Sequence, residues 1–415
     1  MMINEYKINN NTIYHLNTKK FKTNLFGFSF LLPLSKKYLP EFTILAQMWT
    51  KYTRSFQTER EFSFKLNELY DSQIFYNFEK KGKALQITFY LHVINEKLLN
   101  DHVDLTNQVF NLFKEVVFTR KEINNSILIK EKKIYNETFE SKNSNFLYLT
   151  NTILYHLMFE HENYLNQLDV NIDEVNKITV ESMNEAYDLI IDSPRFGFVI
   201  GDFEKEKIFD LFHNIPFNNK EPIDFIDRES KNINKTNIKI IPHELPQSTL
   251  MIGYRTNIVV DSKEYYAMCV LNNYLGASYD SLLIKVLREE HNLVYQINSE
   301  YDWYKGVMFI NCGISYENYE IVMTLIDGCI NNVQNGLIDE EIFTATKTQM
   351  ISNQMDTEDN LISLIETINQ KYFYGSSSID NLSKIEKIKN VTYDDIKQAA
   401  STLITDSIVL FGKDR

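Results

Sequence analysis

The sequence has little cysteine, glycine or proline and no long hydrophobic run. Among 415 residues there are 3 Cys, 12 Gly and 7 Pro, against 28 Phe and 25 Tyr. Together with 44% hydrophobic residues, this balance excludes a collagenous or disordered chain and predicts closely packed helices and strands. The three cysteines are unclustered and form no CxxC pair, which is typical of reduced core cysteines in a cytoplasmic protein.

Basic residues are also in deficit, because 43 Lys and Arg face 56 Asp and Glu and the formal net charge is −13. An acidic balance argues against a nucleic-acid partner or an anionic membrane surface. The longest apolar run, residues 26–34, is too short to span a bilayer. The polar residues 1–11 lack the apolar core of a secretory signal. We therefore expect a cytoplasmic protein without a membrane span.

Complete catalytic motifs are missing as well. The sequence contains no HxxEH or HExxH zinc motif, no GxSxG nucleophile elbow and no glycine-rich phosphate or dinucleotide loop. His156 and His161, with Glu160 between them, come nearest to a zinc motif. Side chains five residues apart on a helix point about 140° away from each other, so they cannot share one ion. We expect no metal ligand and no cofactor in this chain.

The informative feature that is present is an internal duplication. Thr179 and Thr392 each precede a helical stretch, and each of these helices is followed by a strand that ends on a glycine, Gly201 or Gly412. A threonine hydroxyl can accept hydrogen bonds from the free N–H groups of the first helical turn, so both threonines are predicted N-caps.

A second pair of matching segments agrees with the first. Amphipathic helices are predicted over residues 101–116 and 316–335, and Gly336 is suited to end the second of them. Each is followed by a long polar helix, predicted to open at residues 118–122 and 337–341. The chain thus consists of two tandem repeats of roughly 200 residues, in line with the usual size of a domain.

The fold class and the domain boundaries follow from this duplication. β-branched and aromatic runs alternate with the helices, so the sequence predicts an α+β protein in which each repeat is an antiparallel sheet covered by helices on one face. The most polar stretch is the natural linker. We therefore expect an N-terminal repeat over residues 1–217, a linker over 218–237 and a C-terminal repeat over 238–415.

One segment of the second repeat carries candidate chemistry. Arg288 lies at the polar end of an apolar helix, and Tyr295 enters the strand that follows. Two interpretations are open. In one, Arg288 pairs with a neighbouring glutamate at the surface and Tyr295 belongs to the core. In the other, the guanidinium and the phenol converge on a peptide carbonyl.

The sequence resembles the pitrilysin/insulinase family of zinc metallopeptidases over nearly its whole length. Leu275-Gly276 followed by Leu287–Tyr295 matches the family's Arg-Glu-x-x-x-Leu-x-Tyr signature. Residues 58–78 are similar to the helix–turn–strand that follows the family's zinc helix. Three further segments, residues 19–24, 252–257 and 304–307, are similar to a bacterial subgroup, the YmfF/AlbE-like proteins.

The chain departs from the family where the zinc should be. Counting back from Arg54-Ser55, the HxxEH helix should cover Glu41–Leu45, which reads Glu-Phe-Thr-Ile-Leu. Glu131 lies near the place of the family's third, downstream ligand. A lone carboxylate would not hold zinc at useful affinity.

The resemblance implies a fold and a function. The fold expected is the two-repeat, LuxS/mitochondrial-processing-peptidase-like architecture. In the family, one half brings zinc and the general base and the opposite half brings the Arg and Tyr of the signature, here Arg288 and Tyr295. We therefore expect a non-catalytic subunit, inactive alone, that pairs with a zinc-bearing homologous subunit. Together they would process peptides, such as a leader or antimicrobial peptide. The alternative is a non-catalytic peptide-binding or scaffolding homodimer.

Overall fold

The computed structural model describes residues 3–100, 103–162, 164, 170–229, 231–243, 247–374 and 380–412. Residues 101–102 of the first predicted amphipathic helix and residue 230 of the predicted linker lie outside the described residues. The chain divides into two compact units. Unit 1 comprises residues 1–140, 167–224 and 360–378, and unit 2 comprises residues 141–166, 225–359 and 379–415.

Strands and helices alternate along both halves of the chain. The strands are β1 (Ile3–Ile8), β2 (Asn11–Asn17), β3 (Thr23–Pro33), β4 (Gln73–Lys81), β5 (Ala84–Ile94), β6 (Arg195–Gly201), β7 (Asn237–Pro242), β8 (Ser248–Arg255), β9 (Val294–Asp302), β10 (Val307–Ile314) and β11 (Ile404–Gly412). The helices are α1 (Leu39–Trp49), α2 (Glu59–Glu68), α3 (Leu105–Phe118), α4 (Asn125–Asn143), α5 (Phe146–Phe159), α6 (Ile172–Lys177), α7 (Val180–Ile191), α8 (Lys205–Phe212), α9 (Tyr265–Asn272), α10 (Tyr319–Gln334), α11 (Glu340–Asp356), α12 (Leu361–Tyr374), α13 (Asn381–Asn390) and α14 (Tyr393–Ser401). Asn273–Ala277 and Ile284–Glu290 are π-helical.

Each unit is built on one sheet. The strand order is β1-β2-β6-β3-β5-β4 in unit 1 and β7-β11-β8-β10-β9 in unit 2. The predicted α+β class with two repeat-like halves is confirmed. The pairing is antiparallel except that β2 runs parallel to β6 and β7 runs parallel to β11. These two exceptions occupy matching places in the two sheets, so the duplication extends to the strand topology.

Local contacts repeat between the two units with the same chemistry. Thr179 and Thr392 are N-caps as predicted, each accepting a hydrogen bond from the backbone N–H three residues on. Lys132 of α4 donates to two carbonyl groups just before the first cap, at 2.9 and 2.7 Å. Lys347 of α11 does the same before the second cap, at 2.6 and 2.7 Å. Gly336 ends α10 with a left-handed φ of 79°, as predicted.

The second face of each sheet is covered as well, which differs from the expectation of helices on one face. In unit 1, Leu364, Ile365 and Ile368 of α12 pack on the sheet. In unit 2, α5 packs on the sheet, and a Cβ on Gly253 of β8 would overlap the sulfur of Met158. Each unit therefore completes its sheet with a helix from the other half of the sequence.

The long polar helix of the first repeat begins later than predicted. It opens at Asn125 rather than at residues 118–122. The reason is local, because the Asn124 side chain accepts a hydrogen bond from the Ile127 N–H at 3.0 Å and so caps the helix there.

We predict that Thr392→Ala lowers the free energy of unfolding by about 1 kcal/mol, because the first turn of α14 loses its side-chain acceptor. Urea denaturation followed by circular dichroism measures the change. Thr392→Ser keeps the hydroxyl and serves as the matched control. Equal stability of the alanine and serine variants would contradict a capping role.

Candidate functional site

Arg288 lies in the last turn of the π-helical segment Ile284–Glu290 and is exposed. π-Helical turns, which are wider than α-helical turns, are rare and are often found at functional sites. The backbone leaves the helix at Asn292, whose φ is 53°, and the Leu293 N–H closes the turn by donating to the Leu287 carbonyl at 2.8 Å. In the part of the chain that the structure describes, the Arg288 guanidinium has no ion-pair or hydrogen-bond partner. Its N–H donors are free to bind a ligand.

Tyr295 is the second residue of β9, and its side chain is 70% exposed. The alternation of buried and exposed side chains along β9 is interrupted next to Tyr295. Val294 and Ile297 lie three positions apart, yet both are buried in the helix-covered core. The ladder between β9 and β10 is irregular around Gly313. Tyr295 and Gln296 therefore both face away from the core, as expected where a β-bulge redirects side chains.

The structure places Arg288 and Tyr295 on either side of one tight turn and leaves both exposed. No hydrogen bond joins them among the described residues. Tyr295 is not a core residue, and neither Glu289 nor Glu290 forms an ion pair with Arg288 within the described ranges. β9 is moreover the last strand in the order of the unit 2 sheet. A guanidinium, a phenol and the outer edge of a strand are thus available together for an extended peptide.

The helix on which the family places its zinc motif is α1, and Glu131 is buried against it. The Glu131 side chain is 1% exposed, and its Oε2 atom accepts hydrogen bonds from Gln47 Nε2 at 2.7 Å and from Lys51 Nζ at 2.6 Å. Gln47 lies in the last turn of α1, and Lys51 follows two residues beyond the end of the helix. The range 41–45 counted from the sequence lies within the same helix.

These side chains do not fit a zinc ion. The Lys51 ammonium and the Gln47 amide point N–H donors at the carboxylate, whereas zinc requires lone pairs from thiolate, imidazole or carboxylate groups. His156 and His161 are both exposed, at and just beyond the C-terminal end of α5. Over the residues that the structure describes, no three His, Cys, Asp or Glu side chains are grouped so that they could hold a metal ion.

A buried ion cluster in unit 2 was missed by the sequence analysis. Arg255, 1% exposed, bonds Glu162 through Nη2 and Asp406 through Nε, each at 2.7 Å. Lys305 bonds the same Glu162 at 2.6 Å and Asp227 at 3.0 Å. Sequence reasoning did single out residues 252–257 and 304–307 as family-like segments, but nothing in the sequence shows that their cations meet.

The two cations of this cluster lower the pKa of Glu162. Burial alone would raise the pKa of Glu162, but hydrogen bonds from Arg255 and Lys305 outweigh it and hold that pKa below its ordinary value. Glu162 therefore stabilises the folded state above the ordinary glutamate pKa, and this contribution is lost as the pH falls through the lowered pKa. Both cations are fully engaged, so the cluster serves structure rather than ligand binding.

In the part of the chain that the structure describes, no helix is long and apolar enough to cross a membrane.

The chain is similar to several known proteins. The Peptidase M16 inactive domain family matches residues 177–350. The "Probable inactive metalloprotease YmfF" of Bacillus subtilis (strain 168) is 25% identical over 402 residues, which cover 95% of this chain and 94% of that protein. The chain thus resembles peptidases of the M16 family.

Solved structures with a similar fold match nearly the whole length of the chain. A conserved protein from Enterococcus faecalis V583 has a TM-score of 0.89 at 21% identity and covers 97% of this chain and 96% of its own. The ferredoxin protease FusC, as a point mutant in complex with Arabidopsis ferredoxin, has a TM-score of 0.71 at 11% identity. That match covers 100% of this chain but 45% of FusC. At these identities the likeness shows the fold alone.

The pairing of Glu131 with Lys51 predicts how mutation changes the stability of the protein. Lys51→Met should lower the free energy of unfolding by about 3 kcal/mol, because it leaves a buried carboxylate without its cation. Removing both charges in Lys51→Met/Glu131→Gln should recover most of the loss. Chemical denaturation of the single and double variants measures both effects.

The two changes together form a double-mutant cycle, with Glu131→Gln as the second single variant. If the double variant were as unstable as the sum of the two single variants, the carboxylate and the ammonium would not be coupled. The interpretation of Lys51 as the cation that compensates Glu131 would then be wrong.

Proposed function

We propose that this chain is the non-catalytic subunit of a two-subunit zinc peptidase, which processes or degrades peptides together with a zinc-bearing homologous subunit. The observation that carries the proposal is a contrast between the two units. The position corresponding to the zinc ligands in unit 1 is filled by the Lys51–Gln47–Glu131 contacts. The signature pair in unit 2, Arg288 and Tyr295, is exposed and unengaged among the described side chains.

The length of one solved structure supports a site completed by a second chain. This chain in its entirety corresponds in fold to 45% of the FusC protease chain. A protein with one half of such a fold and no zinc site gains a complete site by pairing with a second, zinc-bearing half. The three cysteines are all free thiols, which suits a reducing compartment, so we place the pair in the cytoplasm.

The chemistry assigned to this chain is to bind the peptide and stabilise developing charge. An extended peptide adding to the outer edge of β9 would hydrogen-bond through its main chain. The Arg288 guanidinium and the Tyr295 hydroxyl would donate to the scissile carbonyl oxygen, and more strongly to the oxyanion formed when water adds to the carbonyl carbon. The partner subunit supplies zinc and the general base.

The first test asks whether the partner exists. The tagged chain is purified from its native host, and the co-purifying proteins are identified by mass spectrometry and analysed for zinc. We expect a homologue with an intact HxxEH motif, and peptide cleavage by the pair that neither chain performs alone. Recovery of a self-associated, zinc-free chain that still binds peptide would instead support the peptide-binding homodimer.

The second test concerns the two residues. In the reconstituted pair, Arg288→Ala or Tyr295→Phe should lower kcat by about 10²–10³-fold with a smaller change in KM, because each removes a donor to the oxyanion. Steady-state cleavage of a fluorogenic peptide measures both constants.

The matched controls are Tyr279→Phe and Lys263→Ala. Tyr279 is an exposed tyrosine that precedes the helical segment containing Arg288, and Lys263 is an exposed cation of the same unit. Both variants should cleave as the unchanged pair does. If Arg288→Ala and Tyr295→Phe were equally harmless, the assigned role would be wrong.

A further inference from the structure

A cleft of about 430 Å³ opens in unit 2 between the first turn of α5 and the sheet. This volume is within the range of roughly 300–1,000 Å³ that is usual for ligand sites. The cleft contains no charged side chain. It is lined by Asn145, Phe146, Leu147, Gln247, Thr249, Gln296, Asn311, Cys312 and Gly313.

Four polar side chains of the cleft have no partner within the described protein. Within the described residues, Gln247, Thr249, Gln296 and Asn311 make no side-chain hydrogen bond. They come from β8 with the residue before it, from β9 and from β10, and they meet at one place. Several polar groups that converge in a concave site without partners in the protein are typical of a ligand-binding site.

The chemistry of these groups selects the class of ligand. A primary amide carries both N–H donors and a carbonyl acceptor, so three amide side chains offer both kinds of partner. An anion would use only the donors and a cation only the acceptors. The first-turn N–H groups of Phe146 and Leu147 in the lining add donors, since such groups have no partner within their helix. A ligand that alternates donors and acceptors and carries no charge satisfies this set best.

We propose that the cleft binds the main chain of an uncharged, extended peptide segment, with Gln247, Gln296 and Asn311 bonding its N–H and C=O groups. Phe146 and Leu147 provide the apolar wall. This proposal adds a second peptide-binding element to the proposed function and rests on it. Gln296 and Tyr295 face the same way from the bulge of β9, so a peptide held in the cleft continues past the Tyr295 hydroxyl.

The test measures peptide binding by the full-length chain alone. The probe is a fluorescein-labelled decapeptide of alternating alanine and serine, followed by fluorescence anisotropy. A second probe has the same sequence with every other backbone nitrogen methylated, which removes N–H donors without changing the side chains. A third carries aspartate in place of each serine. We expect the neutral probe to bind and the other two to bind at least tenfold more weakly.

Variants of the cleft should act on the same measurement. Asn311→Leu and Gln296→Leu should each weaken binding of the neutral probe about tenfold. Gln108→Leu, at an exposed position of α3 in unit 1, is the matched control and should leave binding unchanged. Equal binding of the methylated and unmethylated probes, or no binding of the neutral probe at millimolar concentration, would overturn the proposal.

The outcome is separable from that of the proposed function. Arg288→Ala should impair cleavage by the reconstituted pair while leaving binding of the neutral probe by the isolated chain unchanged. If no zinc-bearing partner exists and the probes still differ as expected, peptide binding by the cleft is supported and the peptidase-subunit role is contradicted. If the pair cleaves peptides but methylation of the probe has no effect, the subunit role is supported and peptide binding by the cleft is contradicted. Should a cleft variant fail to fold, the comparison of probes on the unchanged chain still decides.

Discussion

The buried contact between Glu162 and the two cations Arg255 and Lys305 joins α5 to the sheet of unit 2. Glu162 follows α5, Arg255 ends β8 and Lys305 lies in the turn between β9 and β10. Removing one member would leave an uncompensated buried charge, a change that commonly costs about 3–5 kcal/mol. The cluster therefore ties the C-terminal end of α5 to the sheet, beside the apolar contacts of the same helix. The cleft between α5 and the sheet depends on that placement.

The exchange of helices between the two halves of the sequence shows where prediction from sequence ends. Thr179, Thr392 and Gly336 could be assigned from the sequence because a cap depends on the few residues around it. Helix α5 packs on a sheet whose first strand begins about 80 residues later in the chain. The amphipathic pattern of α5 does not indicate which sheet the helix covers. The duplication was visible for the same local reasons, whereas the discontinuous units were not.

The candidate site divides in the same way. The spacing of Arg288 and Tyr295, the end of the helix between them and the start of β9 follow from the sequence alone. The outward direction of Tyr295 does not, because it arises from a bulge that exists only when β9 pairs with β10. The contacts of Glu131 with Gln47 and Lys51 were not visible in the sequence, because Glu131 lies 84 and 80 residues further along the chain.

Lys51 and Gln47 explain how the buried carboxylate of Glu131 is stabilised without a metal ion. A buried carboxylate needs a compensating cation and hydrogen-bond donors. Lys51 and Gln47 supply both to Glu131, whose side chain stays buried. The contact between α1 and α4 is thus independent of zinc. The groups proposed to bind peptide belong to the other compact unit, so the absence of a zinc site in unit 1 leaves their contacts unchanged. The proposed division of labour is therefore physically self-consistent, since the Glu131 contacts and the Glu162 cluster each lie within one unit.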